Sequence, residues 1–143
     1  MLQSVLYQFN RLSGEEQTRQ MLRRSNDEFP KVVDYLYDHF DEFKLLFTSG
    51  ENNAYQEFIH RVVELDTGCT AQYIEASGND AVSSGRLTPE LNHLLSSAFY
   101  TGMFEVVIHN MPKEQAMKHI QKMRRFYTAG WQTIFSSDGG EDC

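Results

Sequence analysis

With 143 residues, 41% hydrophobic and 23% charged, the chain can close over one core without disulfide staples, which excludes a wholly disordered segment. A formal net charge of −7 disfavours a direct grip on a phosphate backbone. No apolar run approaches the roughly 18 residues of a membrane span, and MLQSVLYQFNRL lacks the pattern of a secretory signal.

Leu2, Val5, Leu6, Phe9 and Leu12 recur at helical spacing with no cap ahead of them, so residues 1–12 read as the end of a truncated connecting helix. Ser13 and Glu16 form a capping box opening a short polar helix through Leu22. Phe29, Val32, Val33, Leu36, Phe40, Phe43 and Phe47 then make one apolar stripe, with Asp34, Asp38, Asp41 and Glu42 opposite. The turn TSGENN closes that segment. Gly50 suits a left-handed cap and Asn52 or Asn53 a new helix start.

From Ala54 to Ala76 the inward stripe is Tyr55, Phe58, Ile59, Val62, Asp66, Cys69 and Tyr73, with a kink or break expected at Thr67-Gly68. The loop SGNDAVSSGR is small and polar. Thr88 and Pro89 mark the next helix start, as N-cap and first-turn proline, and that helix runs to about His109. It becomes apolar on most sides through AFYTGMFEVVI, as a helix covered from two directions would. The last helix spans Pro112 to about Phe135, and 136–143 is a polar, frayed tail. The sum is a single all-α domain over 1–143, a bundle of five to six helices with short connections.

Few residues suggest chemistry. Cys69 and Cys143 make neither a disulfide framework nor a metal-binding spacing, and a reducing cytoplasm is the expected location. The basic clusters Arg19, Arg23, Arg24 and Lys118, Lys122, Arg124, Arg125 read as solvated helix faces. Glu-x-x-His occurs at Glu57/His60 and Glu90/His93, the spacing of di-metal helical bundles, but both pairs project away from the apolar stripes. The expectation is therefore no metal, no cofactor and no catalytic residue, with a ferritin-like di-metal bundle as the alternative.

Asp66, turned inward, needs a partner or a ligand. Glu105 and His109, four residues apart, suit an internal polar clasp near the NMP turn, or a ligand contact. Glycine recurs in FYTG and FYTAG. Gly102 and Gly130 are placed by helical projection as notches on packed faces, each open to a ring or backbone from the same chain or from a second copy.

The run HLLSSAFYTGMFEVVIHNMPKEQAMKHIQKMRRFYTAGWQTIF resembles the last two helices of TetR/AcrR-type transcriptional regulators, and FPKVVDYLYDHFDEFKLLFTSGENNAYQEFIHRVVEL resembles their earlier effector-domain helices. The resemblance covers about residues 27 to 135. It implies a homodimer whose last two helices form a four-helix bundle with the partner's, a small apolar or aromatic effector bound among the middle helices, and DNA contact only through a helix-turn-helix that this sequence does not contain. The chain is then the effector-binding and dimerisation part of a ligand-responsive repressor, cytoplasmic and without membrane contact. A helical adaptor without a ligand is the remaining alternative.

Dimer contacts would come from Gly102, Phe104, Ile108, Phe126, Gly130 and Trp131. The stripes would line the effector pocket with Phe43, Phe47, Phe58, Val62, Asp66, Cys69, Tyr73, Leu95, Phe99 and Met103.

Overall fold

The computed structural model describes residues 29–136. Sequence-based expectations for 1–28, the tail beyond 136 and Cys143 lie outside them. The described residues form five helices and no strand: α1 (29–38), α2 (Phe40–Thr48), α3 (Ala54–Ser77), α4 (Pro89–Ile108) and α5 (Lys113–Phe135). The all-α bundle expected from the sequence is what the chain builds. None of these helices is long and apolar enough to cross a membrane.

The first stripe is divided. His39 leaves helical geometry (φ −119°, ψ 36°) and bends the chain between α1 and α2. The bonds His39 N–H to Tyr35 O (3.2 Å) and Phe43 N–H to His39 O (3.0 Å) nevertheless carry the ladder across the bend. After α2, Gly50 takes the left-handed conformation expected of it (φ 71°), and a single 3-10 turn, Glu51–Asn53, leads into α3.

No break occurs at Thr67-Gly68, in contrast to the expectation. α3 runs unbroken through 24 residues. Gly68 is exposed, while Cys69, Tyr73 and Ile74 beyond it are buried. The roughly 1 kcal/mol penalty of a mid-helix glycine is outweighed by that packing.

The Thr88 hydroxyl accepts from Leu91 N–H at 3.1 Å and Pro89 occupies the first turn, so the start of α4 follows its sequence signals. α3 and α4 lie along one another as the central pair, α2 packs on both, and α5 packs on α4. The main core gathers Val33, Leu36, Phe47, Val62, Phe99, Met103, Phe104, Val107, Ala116 and Ile120. A second cluster of Tyr73, Ile74, Ala81 and Leu87 sits under Trp131, Ile134 and Phe135 at the far end of α5.

Both ends of α5 are tied down by residues distant in sequence. Near its start, the Tyr37 hydroxyl donates to Met111 O (2.6 Å), the Lys44 ammonium donates to Ile108 O (2.9 Å) and Asn110 Oδ1 (2.7 Å), and Lys113 pairs with Asp34 at 2.7 Å. At its end, Asn79 donates to Phe135 O (3.0 Å) and Arg86 Nε to Ile134 O (2.8 Å), with Asp80 holding the guanidinium at 2.5 Å. That guanidinium keeps the Asp80 carboxyl below its ordinary pKa.

Candidate functional site

The residues expected to surround an effector mostly fill one another's space. Phe47 lies 5.0 Å from Tyr55, 5.7 Å from Phe58 and 5.1 Å from Phe104, ring centre to ring centre, and Phe43 closes on it at 5.7 Å. Val62, Phe99 and Met103 belong to the same core, while Cys69 is buried and Leu95 half-buried. Tyr73 falls in the second cluster, its ring 5.2 Å from that of Phe135.

Asp66 finds partners inside the chain. The Ser96 hydroxyl donates to its Oδ2 at 2.5 Å, and the Tyr100 hydroxyl reaches Oδ1 at 3.4 Å. Burial pushes the Asp66 pKa up against these two hydrogen bonds, which pull it down. Tyr100 is raised well above its ordinary pKa, first by burial and then by the charge of Asp66. Nearby, the buried Asn92 donates to Thr67 O at 3.4 Å, and its Oδ1 has no hydrogen-bond partner. Sequence spacing had flagged Asp66 but not Ser96, Tyr100 or Asn92, which read as ordinary members of an apolar helix.

Glu105 and His109 do meet, His109 Nε2 standing 3.7 Å from Glu105 Oε2, but with 56% and 68% of their side chains exposed. They form a surface pair, not an internal clasp. The NMP turn is secured instead by Tyr37 and Lys44. Lys44 meets the carbonyl end of α4, where a cation is favoured by the helix dipole, though no sequence neighbour announces that contact.

The two glycines part company. A Cβ on Gly102 would stand 2.9 Å from the Met123 terminal methyl, so that notch is filled from within the chain by α5. Gly130 faces open space. Of the other expected dimer contacts, Phe104 is 1% exposed and committed to the core, Ile108 packs against that core, and Trp131 stacks on Phe135 at 5.4 Å. All three are used inside the chain, Phe104 and Ile108 on α4 in the main core and Trp131 on α5 against the second cluster. Phe126 alone of the large expected contacts points outward, at 75% exposure.

A cleft of about 330 Å³ opens between α3 and α4. Ile59 and Val63 give it apolar surface and Tyr55 an aromatic wall. Gln56 and His60 from α3 and His93, Ser97 and Thr101 from α4 supply the polar lining. None of the ten residues expected to line an effector pocket lines this cleft. The two imidazoles come from the two Glu-x-x-His pairs, whose outward projection was correct: Glu57, His60, Glu90 and His93 are all exposed. No three His, Cys, Asp or Glu side chains converge as a metal site among the described residues.

Set against known proteins, the chain matches no family model, no curated protein and no solved structure.

Proposed function

We propose that this chain is the effector-binding and dimerisation domain of a ligand-responsive transcriptional regulator of the TetR type. The observation that supports it best is the uncovered outer face of α4 and α5. Leu94 on α4 and Phe126 on α5 are 63% and 75% exposed, and the small residues Ala98, Ala129 and Gly130 are exposed on the same two helices. Large exposed apolar side chains together with small ones suit close helix contact with a second copy.

Sedimentation of the 143-residue chain tests the reading, with a dimer expected and Phe126→Glu expected to shift it to monomer without loss of helix content. A wild-type chain that stays monomeric at the highest soluble concentration removes the proposal's main support. Ligand response is tested by thermal melting across a library of small molecules, since a compound that binds only the folded state raises the midpoint.

A further inference from the structure

We infer that the cleft between α3 and α4 takes a small protonated amine carried on an apolar body, an assignment that rests on the effector-binding reading above. Ile59 and Val63 offer apolar surface to the body, and the Tyr55 ring offers a face to the cation. Hydroxyl oxygens of Ser97 and Thr101 accept ammonium protons. No lysine or arginine lines the cleft.

The surroundings decide the sign of the ligand. Four carboxylates lie within one helical turn of the lining: Glu57 three residues before His60, Glu64 four after it, Glu90 three before His93, and Glu105 four after Thr101. Glu64 is in place already, Oε1 standing 2.9 Å from His60 Nε2. Glu105 is near enough that its charge adds to burial in raising the Tyr55 pKa. Arg61 is the basic residue in the same stretch of α3, and it is exposed. An anion entering here meets a net negative rim, whereas a cation is drawn in.

A transition metal is the poorer occupant, because three ligating side chains do not converge and a closed zinc site wants four. At about 330 Å³ the cleft sits at the small end of ligand pockets, which span about 300 to 1,000 Å³.

Three probes that share a ring and differ in head group test the assignment on the full chain: 2-phenylethylammonium, 2-phenylethanol and phenylacetate. The ammonium is expected to shift the ring-proton resonances of His60 and His93 saturably, the alcohol to bind at least several-fold more weakly, and phenylacetate to leave them unmoved. Glu90→Gln and Glu105→Gln, both at the surface, are each expected to weaken the ammonium about two- to fivefold. Ser97→Trp fills the cleft and is expected to abolish binding, with the melting curve checking that the variant folds.

Equal binding of ammonium and alcohol overturns the assignment, as does a stoichiometric zinc complex at His60 and His93 with no response to the amine. A library compound that stabilises wild type and Ser97→Trp alike removes this site while leaving the regulator reading intact. A chain that is both monomeric and silent to every ligand removes both.

Discussion

Asp66 is held by hydroxyls, and that choice of partner sets how it responds to pH. Ser96 and Tyr100 stabilise its charged form less than burial destabilises it, so the folded carboxyl keeps its proton to a higher pH than the unfolded one. Between those two pKa values the folded state binds the extra proton, and stability falls as pH rises through the window. Asp66→Asn removes that slope. Its stability relative to wild type is expected to improve from pH 4 to pH 7.5, read from urea midpoints, and a difference that is flat or reversed would falsify the account. Gly130 offers a second test at this scale. It is exposed mid-helix with open space where a Cβ would go. Gly130→Ala is expected to stabilise the monomer by about 0.5–1 kcal/mol through helix propensity, while Gly130→Arg weakens self-association if a second copy uses the notch. Sedimentation and denaturant unfolding separate the two effects.

At the scale of elements, the junction of α4 and α5 depends on a side chain from α2. Lys44 satisfies Ile108 O at the carbonyl end of α4 and also the Asn110 side chain, whose residue sits at φ 56° in the turn. Lys44→Met keeps the stem and removes the donors. It is expected to cost about 1 kcal/mol and to speed amide exchange in the Asn110–Met111 turn more than in α3. Uniform acceleration across the chain would show that the contact is not local.

Helix existence and inward faces at this scale were legible before any coordinates. Thr88-Pro89, Gly50 and the stripe Tyr55 to Tyr73 all signalled correctly, since capping and 3.6-residue periodicity are local properties. The break at His39 was hidden because α1 and α2 keep one apolar stripe across it. The break foreseen at Gly68 was absent because packing at Cys69 and Tyr73 lies beyond the reach of propensity. The cleft was hidden for a different reason: His60 and His93 are far apart in sequence, each looks like a surface residue on its own helix, and only the pairing of α3 with α4 makes them neighbours.

For the whole molecule, the core is divided between an aromatic-rich centre and a smaller cluster beneath Trp131 and Phe135, while the outer side of the last two helices carries Leu94 and Phe126 in water. If that side is where two copies meet, unfolding is coupled to dissociation, and the melting midpoint is expected to rise with protein concentration. Phe126→Glu should melt at the same temperature at every concentration. A wild-type midpoint independent of concentration, measured by calorimetry over a wide dilution series, would sink the coupled picture.

The ties at the two ends of α5 have a mechanical meaning. With 23 residues at about 1.5 Å each, α5 is a rod of roughly 34 Å. Asp34 holds one end through Lys113, Tyr37 and Lys44 secure the turn that leads into it, and Asn79 and Arg86 hold the other end. A rod held at both ends resists fraying from either, so the first and last turns of α5 are expected to exchange their amides no faster than its middle.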